Sequence, residues 1–455
     1  MNEQRYSAAP VNWLGHAGRH LAISRLRSRW AVLNDSAASI VRVCEHEGGR
    51  TLADIHATFQ SRFGAVEPTE LAAWVDSLVQ AGLLMNGTPA TDPRRSAAFD
   101  RYRVEHVYIE LLARCNLRCV HCFMGGAPER SEQLTPEEAL TLLDEFAAAG
   151  GRYVTLSGGE PLLYRRFADI ARHVARLNLY GTVITNGTVL RAEHLQLLDQ
   201  LGFNIAISLD GITPEVNTRI RGRSPAKPID AIDRTLRVIG PDRFILSFTP
   251  VKANMGELEN LFAFIEAKGI RRLNLSLYEA VGRAVDYDDA LALDADDRVR
   301  MIRAVYRQAI RWAGRVEIDF NDTRNILSQF TADPTSTDLH PLWRGVRVTS
   351  SGDVYPSSFG AVERFRLGNI RETPLRGLLA SNILADLYSA LLDREVKTPK
   401  CRECAWQQVC RGGSVASAFC ASGSIYAPDA YCEAYREVFP EVAFALAGLT
   451  PAGSA

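Results

Sequence analysis

The sequence predicts an α/β chain centred on a partial TIM-type (β/α)6 barrel, with a winged-helix-like module before it and a smaller, cysteine-bearing extension after it. Three observations carry this. From His106 onward, apolar β-branched runs alternate with amphipathic stretches. The first 90 residues read as three short strands followed by three helices. Five of the nine cysteines crowd between Cys401 and Cys432, beyond the point where the alternation fades.

In the first module, strands are expected around Trp13, at His20–Ser24 and at Arg29–Leu33. Asn34 and Asp35 offer an N-cap, and Ala38, Ile40, Val41 and Cys44 follow on a helical stripe that Gly48-Gly49 ends. Leu52, Ile55 and Phe59 mark a second helix. Leu71, Trp74, Val75 and Leu78 mark a third, from about Pro68 to Gln80. Cys44 belongs to an apolar stripe and is expected in the core.

The barrel strands are expected at Val107–Leu111, Tyr153–Ser157, Gly181–Thr185, Asn204–Leu209, Phe244–Thr249 and Arg272–Leu277. These apolar runs have the character of parallel strands buried on both faces. The clearest helix opens at Thr135-Pro136-Glu137-Glu138, where Thr135 caps, Pro136 suits the first helical position and Glu138 completes a capping box. Past residue 311 the alternation fades, a hairpin is expected around Ser350-Ser351-Gly352, and a helical stretch over Leu375–Leu392 leads into the terminal cysteines. The expected divisions are 1–92 for the first module, 93–104 for a linker, 105–315 for the barrel, 316–440 for the extension and 441–455 for a C-terminal tail.

Composition narrows the function. The 455 residues are 47% apolar and 23% charged, an ordinary globular balance. The net charge of -1 argues against a dedicated nucleic-acid binder. Residues 1–90 hold 8 Arg, no Lys and 8 Asp plus Glu, so the winged module is neutral and DNA is disfavoured. The longest apolar stretch, Val442–Leu449, is too short to span a bilayer, and with Met1–Arg5 polar and no apolar run after it no signal peptide is expected. A cytoplasmic protein without a membrane partner is expected, and its clustered thiols point to metal or redox chemistry before disulfides.

The strongest chemical signal is Cys115-x3-Cys119-x2-Cys122, directly after the first barrel strand. Three thiolates can hold three irons of a cubane, leaving the fourth iron open to a small chelating molecule. A zinc knuckle completed by His121 is the structural alternative. Further polar segments follow the other strands: Ser157-Gly158-Gly159-Glu160-Pro161, Thr185-Asn186-Gly187, Ser208-Leu209-Asp210-Gly211 and Val281-Gly282-Arg283-Ala284. Each alone is an ordinary turn; five in register over one barrel are not.

This set resembles the radical S-adenosylmethionine (SAM) superfamily, with Phe123 as the aromatic after the last cysteine. The resemblance implies a SAM-binding [4Fe–4S] cluster on Cys115, Cys119 and Cys122. It places Gly158, Gly159 and Glu160 at the amino group of SAM methionine, with Phe123, Asn186, Ser208, Asp210 and Gly282 as further SAM contacts and Arg219 as a carboxylate partner. It implies reductive cleavage of SAM to methionine and a 5′-deoxyadenosyl radical that takes hydrogen from a substrate, with an electron donor such as flavodoxin or ferredoxin.

The extension resembles the SPASM domain of that superfamily, in a reduced or twitch-like form. Cys401, Cys404, Cys410 and Cys432 match the ligands of one auxiliary [4Fe–4S] cluster. The other cluster's positions read Ser357, Thr373 and Ser414, which are poor iron ligands beside a thiolate. Cys420 has no slot, though it could replace Cys432, and a four-cysteine zinc site has the same spacing.

The first module resembles the RiPP recognition element, the PqqD-like unit that binds leader segments of ribosomally made precursor peptides. The resemblance rests on Leu33-Asn34-Asp35-Ser36-Ala37-Ala38 and Ile40. A groove between Arg29–Leu33 and the helix from Pro68 would take a leader as an added strand, with Arg25, Arg27 and Arg29 suiting an acidic peptide. The resulting expectation is an oxidoreductase that modifies a precursor peptide. A radical SAM enzyme acting on a tetrapyrrole or other small molecule, and a non-catalytic iron–sulfur regulator, are the alternatives. Tyr278, Glu279, Asp353 and Tyr355 fall where substrate would lie and are as readily structural.

Overall fold

The structure, a computed structural model, describes residues 4–8, 10–16, 18–24, 29–46, 48–87, 104–320, 325–331, 345–356 and 362–448. Three strands of the first module lie where the pattern puts them: β2 (Val11–His16), β3 (Arg19–Ser24) and β4 (Trp30–Leu33), paired antiparallel in that order. The pattern misses β1 (Arg5–Ala8), which pairs with β5 (Arg50–Thr51) and β6 (Leu84–Asn86). Only Tyr6 of β1 is buried, too little apolar signal for the strand to show. The helices are α1 (Asp35–Val43), α2 (Leu52–Phe63) and α3 (Pro68–Gln80). Asn34 caps α1 by accepting from the Ala37 N–H at 2.9 Å.

Alternation along β3 settles how this module sits. Ala22 packs into the module's own core with Ile40, Val41 and Leu71. Leu21 and Ile23, pointing the other way, belong to the main core of the protein. Trp30 Nε1 donates to the Phe330 carbonyl at 2.8 Å, and the two rings meet edge-on. Residues 1–92 therefore do not stand alone: excised, they would expose one face of their sheet. Of the linker expected at 93–104, only Val104 is described, and it is buried.

The centre is one ten-stranded sheet. Seven of its strands are β7 (His106–Glu110), β8 (Tyr153–Ser157), β9 (Tyr180–Thr185), β10 (Asn204–Ser208), β11 (Phe244–Phe248), β12 (Arg272–Leu275) and β13 (Glu317–Phe320). They run parallel in chain order, with β14 (Gly345–Val348) parallel to β7 on its other side. β15 (Asp353–Pro356) and β16 (Gly368–Asn369) add antiparallel to β14. β13 and β16 are the two ends, so the sheet curls without closing.

Helices α4 (Pro136–Ala148), α5 (Phe167–Arg176), α6 (Ala192–Gln200), α7 (Pro214–Arg221), α8 (Ala226–Val238), α9 (Leu258–Lys268) and α10 (Ala295–Arg311) lie between the parallel strands. The capping box at α4 is formed: Thr135 Oγ1 accepts from the Glu138 N–H, and Glu138 Oε2 from the Thr135 N–H at 2.8 Å. Phe146, Leu143 and Leu142 of α4 then bury against the sheet.

Two expected boundaries move. A division at 315 would cut β13 from the sheet it completes, so the parallel alternation continues past residue 311. A tail from 441 would begin inside the helix Cys432–Leu446, whose Val442, Ala443 and Phe444 are buried in the main core. The extension is continuous with the barrel through β14 and through that shared core. It includes α11 (Asn382–Lys397), α12 (Val415–Ser422) and α13 (Cys432–Leu446).

Candidate functional site

Parallel strands bring their C-terminal ends to one rim, so the segments after β7, β8, β9, β10 and β12 converge there. Cys115 is buried, and Cys119 and Cys122 are half-buried. Burial pushes the Cys115 thiol up to about 12 and the Cys119 thiol up to about 11, so without a metal these groups stay protonated.

The Gly-Gly-Glu segment is packed against the cysteine loop. The Gly159 N–H donates to the Leu112 carbonyl at 2.7 Å, and the Glu160 N–H to the Arg114 carbonyl at 3.0 Å. A Cβ on Gly159 would lie 2.2 Å from the Arg114 carbonyl oxygen, and one on Gly158 would lie 2.4 Å from that of Leu112. Gly159→Ala is therefore expected to displace the loop and cut iron retention several-fold, measured as iron per chain after anaerobic reconstitution.

Glu160 is fully buried. Its carboxylate accepts from Thr185 Oγ1 at 2.7 Å, the Asn186 N–H at 2.8 Å and the Leu162 N–H. Burial nevertheless pushes it up to about 7. Asn186 Nδ2 donates to Asn116 Oδ1 at 2.9 Å and approaches Cys115 Sγ at 3.8 Å. Ser208, at the end of β10, is half-buried.

Asp210 is fully buried beside the loop. Its Oδ2 lies 3.0 Å from His121 Nε2 and 2.6 Å from Arg221 Nη2, and its Oδ1 accepts from the Thr249 N–H at 2.7 Å. Burial opposes its charge, but Arg221 and His121 hold the carboxyl well below the usual carboxylate range. The arginine expected as a carboxylate partner of SAM was Arg219. It is exposed instead, because two residues along a helix turn the side chain about 200° away. Arg221 is the inward one, and its charge also favours the Cys119 thiolate.

Arg283, quoted in the Val281–Ala284 segment without a role of its own, supports the cysteine loop. Its guanidinium donates to the carbonyls of Cys119 at 3.0 Å, Gly125 at 3.1 Å and Gly126 at 2.8 Å, and its N–H to the Cys122 carbonyl. Gly282 has φ 61°, and a Cβ there would lie 2.2 Å from the Phe123 carbonyl oxygen. The motif after β12 thus grips the cysteine loop from outside.

The chemistry of this rim fits a cubane and SAM. Three thiols share one loop, and two buried nitrogens beside it, His121 Nδ1 and Arg221 Nε, have no protein partner. Among the described residues no three Cys, His, Asp or Glu side chains converge as they would on a single ion. A cubane does not require that, because each ligand holds a separate iron.

A second cysteine group lies in the extension. Cys401, Cys404, Cys410 and Cys432 line one small cavity with Trp406 and Tyr435. Cys420 is exposed on α12, outside it. Arg394, 1% exposed, donates to the carbonyls of Ile425 at 2.7 Å, Gly413 at 2.8 Å and Ala427 at 2.9 Å. Asp429 accepts from the Ser414 N–H at 2.5 Å and the Tyr431 N–H at 2.7 Å, setting the turn that brings Cys432 to the cavity. Nothing in the sequence marks these two supports.

At the substituted positions, Ser414 caps α12, its Oγ accepting from the Ser417 N–H at 3.2 Å. Next to it Val415, Phe365 and Leu387 form an apolar cluster with Phe419. The Thr373 N–H bonds the Asn369 carbonyl. Ser357 lies outside the described residues, as do Arg25 and Arg27.

Fold and site together define an α/β enzyme with a cysteine loop at the rim of a parallel sheet. Residues 109–265 match the radical SAM superfamily, and residues 341–405 match SPASM, an iron–sulfur cluster-binding domain. The chain thus carries a radical SAM domain and a SPASM domain and is an enzyme of oxidoreductase type, with SAM and iron–sulfur clusters as its cofactors. It is 28% identical over 343 residues to an AdoMet-dependent heme synthase of Methanosarcina barkeri (strain Fusaro), covering 71% of this chain and 94% of that protein. It is 26% identical over 335 residues to the mycofactocin maturase MftC of Mycolicibacterium smegmatis, covering 71% and 81%. Streptococcus suis SuiB, solved with S-adenosylmethionine, shares the fold at a TM-score of 0.56 and 16% identity, over 94% of this chain and all of that one. No helix among the described residues is long and apolar enough to cross a membrane.

Proposed function

We propose that this enzyme modifies a ribosomally made precursor peptide in the cytoplasm. The first module docks the leader, and a flavodoxin or ferredoxin supplies electrons. The observation that carries the reading is the module itself, fixed to the core through β3 and Trp30 with one edge of β4 unpaired among the described residues. Such an edge takes an extended peptide by strand addition. SuiB has also been solved bound to its precursor peptide SuiA. The matches to the heme synthase and to MftC each cover 71% of this chain, so their extent does not choose between the two. The heme synthase keeps a tetrapyrrole substrate as the second reading.

Cys115, Cys119 and Cys122 would hold one [4Fe–4S] cluster, and Cys401, Cys404, Cys410 and Cys432 an auxiliary one. When bound, cluster and SAM supply reductive cleavage to a 5′-deoxyadenosyl radical that takes a hydrogen atom from substrate. The protein's own residues position and exclude. Glu160, fully buried and held by Thr185 and Asn186, would set the Gly-Gly-Glu segment that takes the amino group of SAM. Arg221 offers its free Nε–H to the SAM carboxylate, taking the role expected of Arg219. Phe123, Asn186, Ser208, Asp210 and Gly282 complete the cradle. Arg283 keeps the loop carbonyls turned outward.

The helix packed on β3 and β4 is α1. The leader groove expected between Arg29–Leu33 and the helix from Pro68 would then use the outer edge of β4, the edge that no described strand pairs. The Ser24 N–H bonds the Arg29 carbonyl, so that pair is hydrogen-bonded and pairing alternates from there. The N–H groups of Trp30 and Val32 then point outward, and that of Ala31 points to β3. Val32→Pro in the full-length enzyme is expected to weaken binding of a leader-bearing peptide by tenfold or more while uncoupled SAM cleavage continues. The peptide to use is the product of a short reading frame beside this gene. A leader-independent reaction, or turnover of an iron porphyrin but no peptide, would favour the second reading.

A further inference from the structure

Glu110 ends β7 and Arg347 lies on β14, and the strand register places Arg347 opposite Tyr108. All three side chains share the inner face of the sheet. Glu110 and Arg347 are each 5% exposed, and Arg347 donates through Nε and Nη2 to Glu110 Oε1. A buried ion pair gives little net stability, since well-packed apolar residues of similar volume often do as well or better. Its presence here calls for another role.

The other partner of the guanidinium supplies one. The Arg347 guanidinium carbon lies 4.4 Å from the centroid of Phe123, the residue after Cys122. The Phe123 ring is 42% exposed, in a loop whose backbone is otherwise gripped by Gly282 and Arg283. Tyr108 lies beside the same guanidinium, 5.9 Å away, with its hydroxyl donating to Ser157 Oγ at 2.6 Å. Glu110 thus orients Arg347, and Arg347 packs on the part-exposed ring of Phe123.

We propose that Glu110 and Arg347 are a positioning pair that fixes Phe123 against the SAM site, so that a strand of the SPASM extension completes that site. The inference rests on the reading of Cys115, Cys119 and Cys122 as the SAM-binding cluster's ligands. Arg347 is suited to this and lysine is not, because only a planar guanidinium both stacks on a ring and forks onto a carboxylate.

The test uses the reconstituted full-length enzyme. SAM affinity is measured by equilibrium dialysis, and the SAM-induced change in the electron paramagnetic resonance spectrum of the reduced cluster is recorded. Arg347→Lys and Phe123→Leu are each expected to weaken SAM binding about five- to tenfold, the size of one desolvated cation–π contact. Both should blunt the spectral change at unchanged iron content. The double variant should bind no more weakly than the worse single one, because both remove one contact. A Phe123→Leu enzyme with wild-type affinity and spectrum, or losses that multiply in the double variant, would overturn the proposal. If Arg347→Lys fails to fold, Glu110→Gln takes its place, since it loosens Arg347 and leaves Phe123 intact; wild-type affinity and spectrum there would overturn the proposal. Wild-type protein without a SAM-responsive cluster would instead overturn the underlying reading.

Discussion

Cys119→Ala should abolish 5′-deoxyadenosine formation, while Cys404→Ala should leave part of it. Two thiolates cannot hold a cubane with one open corner, so the first variant loses the SAM-binding cluster and all reductive cleavage with it. Cys404 lies in the separate cavity shared with Cys401, Cys410 and Cys432. Its loss should empty the auxiliary site, spare some SAM cleavage and stop formation of modified peptide. Chromatographic quantification of 5′-deoxyadenosine and mass spectrometry of the peptide check both. Metal binding at such a site is often folding energy, so circular dichroism and gel filtration must accompany Cys404→Ala. A folded Cys404→Ala enzyme that lacks its second cluster and still makes product at the normal rate would leave the auxiliary site a structural one.

Arg221→Met should be the most destabilising substitution of a single charged residue at the rim. It leaves Asp210, fully buried, without its closest counter-ion. Breaking such a pair from one side costs about 3–5 kcal/mol, enough to lower the melting temperature of the metal-free protein clearly. Arg219→Met, two residues earlier and exposed, should change stability by about 0.5 kcal/mol or less. Pairing Arg221→Met with Asp210→Leu should recover much of the loss, because no uncompensated charge stays buried. Differential scanning calorimetry of the four proteins decides. Equal effects at 219 and 221 would contradict the geometry.

Most of the strands were legible because parallel strands buried on both faces read as continuous apolar runs, as Phe244–Phe248 does. β13 was not, for a physical reason. Val316-Glu317-Ile318-Asp319-Phe320 alternates, with Ile318 and Phe320 buried toward the helices. Glu317 and Asp319 share the inner face, as do His106, Tyr108, Thr155, Ser157 and Asn274 on other strands. A closed TIM barrel fills that face with branched apolar side chains. Here it is polar because the sheet stays open, and polarity at the last strand hid the strand.

The cysteine groups were legible because their ligands come in short spacings on single loops. Their supports were not. Glu110 meets Arg347 across 237 positions, and Arg283 reaches Cys119 across 164. The choice between Arg219 and Arg221 depends on which face of α7 meets Asp210, which chain distance does not show. Cys432 rather than Cys420 reaches the auxiliary cavity through a turn that Asp429 and Arg394 hold.

Iron and acid-labile sulfide per chain, measured after anaerobic reconstitution, test the account most directly. Seven cysteines in two groups, with threonine and serine at positions 373 and 414 and Ser414 capping α12, predict about eight irons and eight sulfides as two [4Fe–4S] clusters. About twelve irons would show a third cluster despite those substitutions. About four irons with stoichiometric zinc would contradict the auxiliary cluster outright.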